Sequence, residues 1–209
     1  MMMKNPKTMN RDKNKNNDDM EFPMPGVSGV SALGDHVYFY TEVSSESALE
    51  LNKLLQTVSM QMAPSAFSSM HEVNPPAPIW LHINSMGGDV FASFAIADTI
   101  ARISKVVPII TIVEGAAASG ATIISVAGSK RLMRENAYML VHELSDACWG
   151  KHSAMKDHLD NNDGIMKTIK KHYKKYTTIP VEEMDKILSR DIWWSAKKCK
   201  KYGLIDEII

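Results

Sequence analysis

The chain has 209 residues, 44% hydrophobic and 23% charged, with Lys+Arg and Asp+Glu both numbering 24. That length is enough for one domain with a proper core. The even charge balance argues against phosphate-driven nucleic-acid binding and gives no reason to expect a membrane surface as partner.

No apolar run reaches the roughly 20 residues of a membrane span. The N-terminus also lacks the apolar stretch of roughly 7–15 residues of a secretory signal, so the expected location is cytoplasmic. The two widely separated cysteines, Cys148 and Cys199, read as free thiols in a reducing compartment. No CxxC, HExxH or His/Cys cluster with ligand spacing is present, so neither a metal nor any other cofactor is expected.

Residues 1–30 are polar and without periodicity, and read as a flexible tail or processed leader ahead of a domain over 31–209. A pore-facing arm that orders only in an assembly is the alternative. His36–Val43 is β-branched and aromatic and predicts a strand. Ser44 and Ser45 then stand where an N-cap belongs, before Ala48, Leu51, Leu54, Leu55 and Val58 at helical spacing. Pro64–Ala77, with three prolines, predicts a loop.

Ile79–Asn84 reads as a strand, Val90–Ser104 as a helix, and Val107–Val113 as a buried parallel strand. A turn of small residues follows up to Gly120, then an apolar helix through Ala127, ended by Gly128. Tyr138–His142 reads as a short strand, and 152–176 as a long helix weakened at Gly164. A short helix starts at Pro180, another runs from Ser195 to Gly203, and Leu204–Ile209 closes as a strand. Alternating strands and helices predict an α/β domain with a largely parallel sheet.

Four features bear on chemistry, each with an ordinary structural alternative. Ser119 opens a helix after a buried-type strand, where unpaired N–H groups could hold an oxyanion; a serine there is also a common helix cap. Gly87-Gly88, between a strand and a helix, offers either a further oxyanion donor or a tight turn. His142 ends the strand YMLVH, where catalytic groups gather, or simply faces solvent. Asp191, beside Trp193-Trp194, is either a partly desolvated partner for an imidazole or a surface aspartate.

The order of these features, INSMGGDV, EGAAASGATIISVAGSKR, RENAYMLVHE and SRDIWWSAKKCKKYGLIDEII, resembles the Clp protease proteolytic subunit, of the wider Clp/crotonase group. The resemblance runs from about His82 to the C-terminus. It implies a ββα superhelix with a long protruding helix (152–176) through which rings meet. It also implies Ser119 as nucleophile, His142 as base, Asp191 as orienting acid, and Gly88 and Gly120 amides as oxyanion donors. The implied assembly is two stacked rings of seven subunits. A separate Clp-type ATPase would feed the chamber with unfolded protein or peptide substrates.

Two departures stand out. Met86 replaces the family's usual proline, and Glu143-Leu-Ser-Asp-Ala-Cys-Trp149 follows the histidine where Gln-Pro and a glycine pair are usual. Glu143 and Asp146 are thereby placed near His142. The rival readings are a crotonase-type acyl-CoA enzyme, a signal-peptide-peptidase-like serine/lysine enzyme, and an inactive or scaffold subunit of a mixed ring. The complete Ser/His/Asp set in the expected order favours the peptidase.

Overall fold

The computed structural model describes residues 29–63 and 76–209. The expected N-terminal tail (up to residue 28) and the core of the Pro64–Ala77 loop lie outside the described residues. The chain runs β1 (Val30–Leu33), β2 (His36–Phe39), α1 (Ser45–Met62), β3 (Ile79–Ser85), α2 (Val90–Ile103), β4 (Ile109–Ala118) and α3 (Gly120–Ser125). It continues with β5 (Lys130–Met133), β6 (Tyr138–Leu140), α4 (His152–Tyr176), α5 (Val181–Leu188), β7 (Trp193–Ser195), α6 (Ala196–Lys201) and β8 (Glu207–Ile208). This is a mixed α/β architecture whose sheet is mostly parallel, as expected.

The sheet has eight strands in the order β1-β2-β3-β4-β5-β8, with β6 branching from β4 and β7 from β6. Only β1–β2 and β6–β7 pair antiparallel. Along one face Val37, Phe39, Leu81, Ile83, Val113 and Met133 are all buried. They share one core with Leu51 and Leu55 of α1 and Ile96 and Ile100 of α2. Each such side chain contributes about 1.5–3 kcal/mol on burial. The opposite face carries His36, Tyr38, Trp80, His82 and Glu114.

The helix ends follow local chemistry. Ser44 caps α1 in a reciprocal box with Ser47, and Asp89 caps α2 by accepting from Ala92 N at 2.6 Å. A Cβ added at Gly164 would meet nothing within 4 Å, so its helix weakness falls on an open stretch of the 25-residue α4.

Several expectations need correction. The first predicted strand stops at Phe39, and Val43 forms only an isolated bridge to Gly88. The β4 strand does not end at Val113 but runs through the small residues to Ala118. Its first half pairs with β5 and its second half with β6, so a segment without β-branched residues is held by a second partner. Where β3 shifts register beside it, Asn84 Oδ1 fills the gap by accepting from Ala116 N at 3.0 Å. α3 stops at Ser125 rather than Ala127, and the final strand is two residues long. The strands β1, β5 and β7 were not anticipated.

Candidate active site

Ser119 joins β4 to α3 and is the only non-glycine among the described residues with positive φ (53°, ψ −126°). Such a conformation costs about 1–3 kcal/mol and persists only where its surroundings fix it. They do so here. Ser119 N donates to Leu140 O at 2.9 Å, and Ser119 O accepts from Thr122 N at 2.9 Å and Thr122 Oγ1 at 2.6 Å. Because the Thr122 hydroxyl donates to Ser119, it accepts from Tyr173 OH at 2.6 Å. Burial pushes the Tyr173 phenol up to about 12, which keeps it a neutral donor. The Ser119 side chain makes no capping bond. The helix-cap alternative therefore does not apply, and the hydroxyl is left for other work.

The two small-residue motifs are complementary in space. Gly87, at φ 90°, lies so close that a Cβ there would stand 2.7 Å from Ser119 Cβ. A Cβ on Gly120 would collide with Ser93 Oγ. The bridge at Val43 settles which way Gly88 faces. Val43 N donates to Gly87 O at 2.7 Å, and Asp89 N donates to Val43 O at 2.8 Å. In a parallel bridge those bonds belong to the flanking residues, so the Gly88 N–H points away from Val43. Gly120 is the first residue of α3, and its N–H has no partner within the helix.

His142 lies just past β6, and its Nδ1 is 3.1 Å from Asp191 Oδ1. The reason is register. β6 and β7 pair antiparallel as Tyr138↔Ser195 and Leu140↔Trp193, and two residues further on 142 falls opposite 191. A three-residue strand thus aligns two side chains 49 positions apart in the sequence. The expected desolvation of Asp191 is not found: its side chain is 79% exposed. Trp194 turns into the core and Trp193 stays half-exposed, so neither ring shields the carboxylate.

Ser119, Gly88, Gly120 and His142 line one cavity of about 270 Å³, with Tyr173, Ile123 and Ile169 among its other walls. No hydrogen bond joins Ser119 Oγ to His142; the two share the cavity. Asp191 stands behind His142, outside the lining. The segment after His142 is fastened from several sides. Glu143 N donates to Leu188 O at 2.8 Å, and Leu144 N meets Met166 Sδ at 3.2 Å. Asp146 Oδ2 lies 3.0 Å from His158 Nε2.

Residues 36–209 match the Clp protease family. The chain belongs to that family. The match begins well before the motif-bearing region that starts near His82. Clp protease membership points to serine-peptidase activity. Among the described residues of this Clp protease no group of His, Cys, Asp and Glu could hold a metal ion. No helix there is long and apolar enough to cross a membrane. Both cysteines are free, Cys199 buried and Cys148 exposed.

One cluster on the opposite sheet face was not anticipated. His36 Nδ1 and His82 Nε2 are 2.8 Å apart, and His82 Nδ1 is 3.0 Å from Glu114 Oε1, an ion-pair distance outside hydrogen-bond geometry. Tyr40 and Arg134 also bind Glu114. Burial opposes ionisation of Glu114, but Tyr40, Arg134 and the His82 ring outweigh it and bring its pKa down to about 2.

Proposed function

We propose that the chain is a serine endopeptidase with Ser119 as nucleophile, His142 as general base and Asp191 as the group that orients it. One observation carries the reading. A strained serine whose hydroxyl caps nothing opens into the same cavity as a histidine whose far nitrogen rests on a carboxylate. With Nδ1–H turned to Asp191, Nε2 keeps the lone pair a base needs.

Ser119 Oγ attacks the peptide carbonyl while its proton passes to His142 Nε2. The tetrahedral oxyanion is held by the N–H groups of Gly88 and Gly120. His142 then gives that proton to the leaving amine. Water attacks the acyl-enzyme, losing a proton to His142, and the acid product departs as Ser119 recovers its proton. No lysine lines the cavity, which disfavours a serine/lysine pair. A free serine elbow with a histidine is also more than a crotonase-type site requires.

At the next level the reading has residues 31–209 as one peptidase domain of the ββα superhelical type, with α4 protruding. Copies of it form two stacked seven-membered rings in the cytoplasm. Unfolded chains reach the enclosed sites through a separate Clp-type ATPase. Peptide hydrolysis by the wild type and by Ser119→Ala, with the native mass of each, tests both levels. Hydrolysis lost in the variant at unchanged mass supports the assignment; equal hydrolysis refutes it.

A further inference from the structure

We propose that Glu143 makes this site select a lysine or arginine on the acyl side of the scissile bond. This rests on the peptidase reading and adds the substrate class. The chain as a whole has equal numbers of acidic and basic residues, yet every formally charged residue lining the cavity is acidic: Asp89, Glu143 and Asp146.

Two of those carboxylates are already engaged. Asp89 Oδ1 accepts from Ala92 N at 2.6 Å, capping α2. Asp146 Oδ2 lies 3.0 Å from His158 Nε2, and its Oδ1 accepts from Ala147 N at 2.7 Å. The Glu143 carboxylate has no partner among the described residues. Its backbone is nonetheless fixed, through Glu143 N on Leu188 O, so the side chain is displayed from a defined point directly after the base. The cavity wall beside it is apolar, built from Ile123, Ile165 and Ile169.

An apolar wall with a free carboxylate at an exposed rim matches an aliphatic stem with a cationic head. Lysine and arginine bury their methylenes and keep the charge in water. A neutral chain such as norleucine gains only the wall. A glutamate meets three carboxylates and no cation. Because the rim is exposed, the gain is moderate and salt-sensitive.

The test uses the full-length chain and three blocked tripeptide coumarylamides that differ only in the last residue: lysine, norleucine or glutamate. The expected kcat/KM favours lysine over norleucine by about tenfold, with glutamate lowest. Glu143→Gln should cut the lysine-to-norleucine ratio at least about threefold, as should about 0.5 M salt. Glu143→Lys should place glutamate above lysine, a reversal that a merely structural role would not produce. Norleucine equal to or above lysine in the wild type, or an unchanged order in Glu143→Lys, overturns the proposal. Ser119 labelling by a fluorophosphonate without a peptide side chain separates the two levels. Labelling and hydrolysis without basic preference refute the selectivity alone, whereas the absence of both refutes the peptidase reading and the selectivity with it.

Discussion

Replacing Tyr173 by phenylalanine removes one hydroxyl from a chain of hydrogen bonds that ends on the carbonyl of Ser119. Tyr173 OH reaches Thr122 Oγ1 at 2.6 Å, and Thr122 Oγ1 reaches Ser119 O at 2.6 Å. The ring is buried and its shape is kept, so the cost is the hydrogen bond and one unsatisfied lone pair on Thr122, together about 1–2 kcal/mol. Thr122→Val removes the middle link and should cost about 2–3 kcal/mol, with less than the sum of both in the double variant.

A pH signature accompanies this. The folded state raises the Tyr173 phenol from near 10 to about 12, so it holds the proton more tightly than the unfolded chain does. The associated stability is complete below about pH 10 and is lost as pH rises towards about 12, by up to ~3 kcal/mol. Tyr173→Phe should abolish that share of the alkaline loss, leaving the share from Tyr40, which burial and Glu114 likewise raise to about 12. Urea unfolding at pH 8 and at intervals above pH 9.5 reads both effects. A variant as stable as the wild type at pH 8, or an unaltered alkaline slope, would refute the reasoning.

Asp191→Asn should lower kcat by about 10²–10³, less than the ~10⁴ lost with a buried triad aspartate, because water already competes for this exposed carboxylate. Steady-state peptide hydrolysis checks it. Glu114, with its folded pKa near 2, contributes stability that is present above its unfolded value near 4.5 and lost as pH falls towards 2, by at most ~3 kcal/mol. Acid unfolding of Glu114→Gln should show a shallower loss over that window. Gly87→Ala combines a positive φ with a Cβ pressed on the Ser119 turn, and should cost about 2–4 kcal/mol in urea unfolding.

Much of the candidate site was legible because motifs mark it locally. Ser119 and the glycine pair each sit at a strand-to-helix junction, and His142 lies just past a strand whose apolar pattern is plain. What the sequence hid was set by pairing at a distance. The β7 strand, WWS, is too short to show a period, yet its register brings Asp191 to His142. The charges of Lys130 and Arg131 disguise β5; Arg131 is taken up by Asp206, next to the closing strand. β4 continues through Gly115 and three alanines because β6 pairs with them, not because they favour strands. The His36–His82–Glu114 cluster needs three strands in register before it exists. The desolvation expected of Asp191 failed because adjacency in sequence to two tryptophans says nothing about where their rings turn.

The central claim is that Ser119 is the nucleophile, and covalent labelling tests it most directly. The full-length protein is treated with a fluorophosphonate, digested, and the modified peptide is located by mass. The account predicts one adduct, on Ser119, slowed by at least about 10³ in His142→Ala. An unlabelled Ser119, or labelling at another serine that survives Ser119→Ala, would contradict it.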